Sequence, residues 1–148
     1  MRLSARVDYA LRAASELAAA DAPCTVEQLA SAQGIPAKYL EAILGELRRG
    51  GLLRSQRGQS GGYRLARGAA DISIADVIRV LEGELANVRG SRPEQLAYTG
   101  AATSLQQVWI ALRASERAIL EGVTLADVAS GTMPPRVAEL IANPRAWI

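Results

Sequence analysis

The 148-residue chain has no histidine, no phenylalanine and a single cysteine, Cys24. Each absence excludes a class of chemistry. A Ser-His-Asp triad needs histidine. A structural zinc site within one chain needs several Cys or His ligands. An intrachain disulfide needs a second thiol. No nucleophile–base pair or metal constellation is visible among the residues that remain, so the sequence points away from an enzyme, a metal site and a bound cofactor. No window approaches about 20 uncharged apolar residues, the length a membrane-spanning helix requires, and the N-terminus has no long apolar run. The expected setting is the cytoplasm, with no membrane partner. Aromatics make up 4% of the chain, although 49% of it is hydrophobic. The core must therefore be aliphatic, of Ala, Leu, Val and Ile, a composition that favours closely packed helices.

The net charge of +2 conceals an asymmetry. Residues 1–67 carry ten basic side chains against six acidic ones, and residues 68–148 carry seven against nine. Residues 38–67 alone carry seven basic (Lys38, Arg48, Arg49, Arg54, Arg57, Arg64, Arg67) against two acidic (Glu41, Glu46). A concentration of that kind is either a solvated basic surface or a footprint for phosphates.

The stretch from Thr25 to Leu65 decides between them. Thr25 and Gln28 have capping-box spacing and open a helix that stops at Gly34-Ile35-Pro36. Cys24 and Leu29 then fall at the positions of a hydrophobic staple, which gives Cys24 an ordinary structural task; a reactive thiol is the alternative. A second helix, Ala37 to Arg49, places Leu40, Ile43, Leu44 and Leu47 on one stripe and Lys38, Glu41, Ala42, Gly45 and Arg48 mainly on the other side. Leu52-Leu53-Arg54 and Tyr63-Arg64-Leu65 read as strands joined through Gly58-Gln59-Ser60-Gly61-Gly62, a hairpin with three glycines near its tip. A phosphate-cradling loop would need a Gly-Lys-Ser/Thr ending and a following helix, and neither is present. Two helices on a tight turn, followed by an arginine-bearing ribbon, suit DNA grooves and phosphates.

Elsewhere the pattern is helical. Residues 4–20 form an amphipathic helix capped by Ser4, and Ser73 caps another that runs to about Glu82. Residues 84–102 read as a loop. Thr103 or Ser104 caps a long helix to about Glu121, with Leu105, Val108, Trp109, Leu112, Ile119 and Leu120 on one stripe. A small winged domain leaves that stripe little core to join, so a dimer seam through Leu105, Val108, Trp109, Leu112 and Ile119 is the expected use; packing back on the first helix is the other possibility. Thr124 caps one more short helix, and residues 131–148, with Pro134-Pro135 and Pro144, read as a partly ordered tail. The expected fold is mainly α: a winged helix-turn-helix domain (1–83) with a small β-hairpin wing, a loop (84–102), a dimerisation helix with its short successor (103–130), and the tail.

These motifs together resemble the Rrf-two family of bacterial winged-helix regulators, of the IscR, NsrR and CymR type. The carriers are Met1-Arg2-Leu3-Ser4 with Tyr9-Ala10-Leu11-Arg12, Gln33-Gly34-Ile35-Pro36 with Tyr39-Leu40-Glu41, Arg57-Gly58 with Gly61-Gly62-Tyr63, Ile74-Ala75-Asp76-Val77-Ile78 with Leu81-Glu82-Gly83, and the Trp109 helix. The resemblance covers about residues 1–130. It implies a homodimer with crossing long helices, and base contacts from the Glu41 and Arg57 positions. Cluster-binding members carry three cysteines in the loop before the long helix, and this loop has none. Asp8 falls where some members supply a carboxylate ligand from the partner subunit; without the cysteines it reads as a solvated helix residue. The resemblance is therefore to the cluster-free, CymR-like branch, with a role in sulfur or cysteine metabolism as its implication.

The expected function is that of a sequence-specific transcriptional regulator, a repressor, binding double-stranded DNA as a homodimer on a near-palindromic operator. Lys38 and Tyr39 are expected at phosphate or base edges, and Glu41 at a cytosine amino group. Arg57 at the wing tip suits a narrow minor groove, supported by Gly58, Gln59 and Ser60. Arg48, Arg49, Arg54 and Arg64 are expected at phosphates. A small-molecule effector or a partner enzyme is the expected signal. The alternatives are a winged protein-interaction module and a thiol-based redox sensor using Cys24.

Overall fold

The computed structural model describes residues 2–148; Met1, first residue of the opening motif, lies outside the described residues. Seven helices and one hairpin follow in order: α1 (Ala5–Ala19), α2 (Val26–Gln33), α3 (Ala37–Arg49), β1 (Leu53–Gln56), β2 (Gly62–Leu65), α4 (Ile74–Glu82), α5 (Leu105–Leu120), α6 (Leu125–Ser130) and α7 (Pro135–Ala142). The fold is mainly α with a two-stranded antiparallel wing. No helix of the described residues is long and apolar enough to cross a membrane.

Short-range chemistry sets most helix starts. Ser4 Oγ accepts from the Val7 amide and opens α1. Reciprocal capping boxes open α2 (Thr25 with Gln28), α4 (Ser73 with Asp76) and α6 (Thr124 with Asp127). At α5 neither expected cap operates: Ser104 is already helical and makes no side-chain cap, and the Thr103 hydroxyl donates back to the Gly100 carbonyl at 2.8 Å.

The core is aliphatic. Helix α1 lies at its centre, against α2, α3, α4, α6 and β2. Ala10, Ala13 and Ala14 are fully buried, and such small side chains let neighbouring helices approach closely. Leu40, Ile43, Leu44 and Leu47 of α3 are buried in the same cluster. Truncating any of these leucines to Ala costs about 2–5 kcal/mol, so the outward-facing residues of α3 stand on a stiff base.

Helix α6 belongs with this core rather than with α5, which corrects the division at 103–130. The Leu125 amide donates to Ile72 O, and the Ile74 amide to Val123 O. Leu125 is buried in the winged-domain cluster. Apolar burial at Val123 and Leu125 draws the chain back after α5. A second correction concerns the tail: residues 135–142 are helical, and a further 3₁₀ turn spans Pro144–Trp147. Pro135 sits in the first turn of α7, where its missing N–H costs nothing and its fixed φ favours the helix.

Candidate nucleic-acid interface

Helices α2 and α3 are joined by Gly34, Ile35 and Pro36. Gly34 ends α2 in a left-handed conformation, and Ile35 is buried beneath the turn. Helix α3 has no side-chain cap, and Ala37, Lys38 and Tyr39 of its first turn are exposed. Uncapped amides at a helix N-terminus favour anions. Glu41 is exposed on the same helix and makes no ion pair among the described residues.

The orientation of Tyr39 depends on residues to which the sequence reading assigns no contact. Its ring meets Tyr9 edge-on, with centroids 5.7 Å apart and planes at 84°. The Arg12 guanidinium lies 5.5 Å from the centre of the Tyr9 ring. Arg12 also donates to the side chain (3.1 Å) and backbone carbonyl of Gln33, at the end of α2. The Gln33 amide in turn donates to Glu16, and Arg6 pairs with Glu46 of α3. Helix α1 thus braces both α2 and α3. No local pattern announces this, because its partners lie 17 to 40 positions apart.

The wing is pinned at its base. Cys24 and Tyr63 exchange two backbone hydrogen bonds, Cys24 N to Tyr63 O at 2.9 Å and Tyr63 N to Cys24 O at 2.7 Å. Cys24 therefore adds a one-residue third strand beside β2. Gly62 makes this possible: its φ is +142°, and a Cβ there would lie 2.4 Å from Cys24 O. At the tip, a Cβ on Gly61 would lie 2.3 Å from Gln56 O, so the tight return of the loop also requires glycine. Burial and, secondarily, the negative charge of Glu16 push the Cys24 thiol above its ordinary pKa. A raised pKa lowers the thiolate fraction and with it the reactivity that a redox sensor needs.

Arg57, Gly58, Gln59 and Ser60 are all exposed. In the ladder, Leu53 pairs with Leu65 and Arg54 with Arg64. Two guanidinium side chains thus stand opposite each other on the outer face, an arrangement that costs a few tenths to about 1 kcal/mol. Among the described residues, none of Lys38, Arg48, Arg49, Arg54, Arg57 and Arg64 forms an ion pair. Arg67, the seventh basic residue of the stretch, is tied to Asp76 and to the Asp71 carbonyl. Gly45 has only the mobile end of Arg49 near its Cβ position, so no close approach within the chain explains it.

The expected seam on α5 divides in two. Leu105, Val108 and Leu112 are exposed, whereas Ile119 and Trp109 are half-buried. The Trp109 indole donates to Tyr98 Oη at 3.0 Å within its own chain. Trp109 is therefore held chiefly by an intrachain contact, and the free apolar face runs through Leu105, Val108 and Leu112, at helical spacing.

An iron–sulfur cluster does not fit the donors present. The loop 84–102 has neither Cys nor His. Its carboxylates are engaged: hydrogen bonds from Arg92 hold Glu84 below the usual carboxylate range, while a hydrogen bond from its own amide, then Arg113, does so for Glu94. Asp8 pairs with Arg12 at 3.3 Å. Among the described residues no group of three His, Cys, Asp or Glu is placed to hold a metal ion.

A family model described as Rrf2, an iron-dependent transcriptional regulator, matches residues 3–131. The chain is 51% identical over 148 residues to the HTH-type transcriptional regulator Rv1287 of Mycobacterium tuberculosis, covering 99% of this chain and 92% of that one. It is 33% identical over 134 residues to the HTH-type transcriptional regulator CymR of Bacillus subtilis, covering 89% and 92%. The solved structure of B. subtilis CymR, described as its global cysteine regulator, matches with a TM-score of 0.74 at 30% identity, over 90% of this chain and 99% of that one. The IscR structure from T. potens matches with a TM-score of 0.72 at 32% identity, over 90% and 89%. With its helix-turn-helix, its wing and a family model that matches residues 3–131, the chain belongs to the Rrf2 family of winged helix-turn-helix transcriptional regulators.

Proposed function

We propose that the chain is a cytoplasmic, sequence-specific DNA-binding repressor that works as a homodimer on a near-palindromic operator, without an iron–sulfur cluster. The observation that carries this reading is the set of six exposed, unpaired cations spread over α3 and the wing. A protein surface ordinarily places carboxylates among its arginines. Leaving Arg54 and Arg64 face to face favours a polyanionic partner over a protein one. Helix α3 enters the major groove by its first turns, with Lys38 and Tyr39 at phosphate or base edges and Glu41 accepting from a cytosine amino group. Arg57 reaches the minor groove from the wing tip, supported by Gly58, Gln59 and Ser60. Arg48, Arg49, Arg54 and Arg64 contact phosphates. The exposed face of α5 at Leu105, Val108 and Leu112 pairs with the same face of a second copy, and two-fold symmetry then sets the half-site spacing at roughly one helical turn or a multiple. Relatedness to CymR supports control of cysteine or sulfur genes.

The test is binding to operator and scrambled duplexes at several salt concentrations. Arg57→Ala weakens operator binding by about 1–3 kcal/mol and lowers the operator-to-scrambled ratio. An unchanged ratio would reduce the wing to an electrostatic clamp.

A further inference from the structure

Between Leu3 at the start of the chain, α4, the segment 84–88 and α5 lies a hollow of about 320 Å³. We propose that it binds a small organic cation, a protonated amine on an apolar or aromatic body, and that this ligand adjusts operator affinity; the second half of the proposal rests on the DNA-binding reading above. The volume falls in the range of small-molecule sites, roughly 300–1,000 Å³. The lining is apolar where Leu3, Ile78, Leu85, Trp109 and Leu112 meet. The polar groups are mainly carboxylates: Glu82, Glu84 and Glu116 stand against Arg2. Glu84 is neutralised by Arg92, which does not line the hollow. Glu82 accepts from the Ser4 hydroxyl. Glu116 has no hydrogen bond or ion pair among the described residues.

With Glu84 paired, Glu82 and Glu116 outnumber Arg2 two to one, an excess of negative charge that repels an anion and favours a cation. The apolar lining rewards a hydrophobic body, and the Trp109 indole supplies an aromatic wall. That wall is preformed, since the Trp109 indole is fixed by Tyr98. Another part of the lining is strained. Ala86, at φ +49°, is one of two non-glycine residues with positive φ among those described, the other being Arg89 at +55°, just beyond the lining in the same loop. Such conformations persist only where the surroundings enforce them. The hollow lies where α4, which packs on α3, meets α5, which carries the exposed apolar face. A ligand that prefers one α4–α5 arrangement would bias how two reading units are spaced.

The experiment uses the full chain carrying Trp147→Phe, which leaves Trp109 as the only tryptophan. 2-Phenylethylammonium is titrated while Trp109 emission is followed, with 3-phenylpropionate as the anion of similar body. The expected result is a saturable change with a Kd on the order of 1 mM, reasonable for so small a ligand. The anion binds at least about tenfold more weakly, and Glu116→Gln weakens the cation by about tenfold without altering the circular dichroism or the ligand-free operator affinity. At fixed salt the cation, and not the anion, changes operator affinity. No saturable change in a sample that sediments as a dimer, meaning that the second copy covers the hollow, overturns the proposal. So do equal responses to cation and anion, or indifference to Glu116→Gln. Emission that saturates without any change in operator affinity overturns the regulatory half. Loss of all operator recognition would defeat the DNA-binding reading while leaving the emission titration intact.

Discussion

Arg54 and Arg64 face each other across the wing without a carboxylate partner, whereas Arg92 and Arg113, in the second half of the chain, hold Glu84 and Glu94. Arg79 and Arg117 likewise share Glu121. The same side chain therefore serves two ends. Where these four guanidiniums have carboxylates, the ions tie α4 and the loop 84–102 to α5. Exposed pairs of this kind contribute little each, so that attachment also leans on neutral contacts. Pro93 and Leu96 are buried, and the Gln106 amide donates to the carbonyls of Pro93, Glu94 and Leu96. Where the guanidiniums have no carboxylates, the fold gains nothing from them and the field they create is left for a ligand. On the reading proposed above, unpaired charge on a rigid, well-packed base marks the DNA-binding face better than charge density does.

The largest test of this contrast concerns neither set of arginines but the apolar face of α5 proposed to join two copies. Val108→Asp should weaken the dimer by about 3 kcal/mol, roughly 100-fold, and lower operator affinity with it; sedimentation across a concentration series checks the first effect. A variant that stays dimeric at nanomolar concentration would remove α5 from the interface. Next, Arg54→Ala should weaken binding to every duplex alike and lower the salt slope by about 1 per subunit. Its thermal midpoint should hold or rise, because a like-charge pair is relieved. A falling midpoint would show that Arg54 has a structural partner after all. Smallest is the effect of Arg92→Ala, a slight drop in thermal midpoint with operator affinity unchanged at fixed salt.

Acid should reproduce that last effect. Glu84, Glu94 and Glu121 all titrate below their ordinary range in the folded chain, Glu121 chiefly through hydrogen bonds from Arg79 and then Arg117. Their stabilisation is complete above the unfolded carboxylate range, near pH 4.3, and is lost as pH falls through the lower folded values. Thermal melts from pH 6 down to about pH 3 should therefore narrow the gap between wild type and Arg92→Ala.

What the sequence displays depends on how far apart the cooperating residues are. The capping boxes at Thr25, Ser73 and Thr124 each join residues three apart; the first is legible as a box and the other two as caps. So is the α3 stripe of Leu40, Ile43, Leu44 and Leu47. The Tyr9–Arg12–Gln33 brace behind Tyr39 is invisible, because nothing in Arg12 itself distinguishes a solvated cation from one folded over a tyrosine. The return of α6 to the core escapes for the same reason: Leu125 finds Ile72 only once the whole domain has closed. Helix α7 is hidden differently. Pro134-Pro135 resembles a stop, yet a proline in the first turn is also a start, and only the apolar spacing of Val137, Leu140 and Ile141 separates the two.

The Cys24–Tyr63 bridge has a bearing on how an operator is measured. By fastening the root of the hairpin to Cys24, just ahead of the Thr25 cap of α2, it removes the hinge on which a wing would swing. On the DNA-binding reading proposed above, helix α3 and the tip at Arg57 then act as the two jaws of a fixed gauge, set to one separation along the duplex. A base pair inserted between the bases read by the helix and those read by the wing cannot be absorbed by tilting the ribbon, since tilting would break both bridge hydrogen bonds and lift Gly62 off Cys24. Recognition should therefore tolerate substitution within either contact far better than a change in the distance between them.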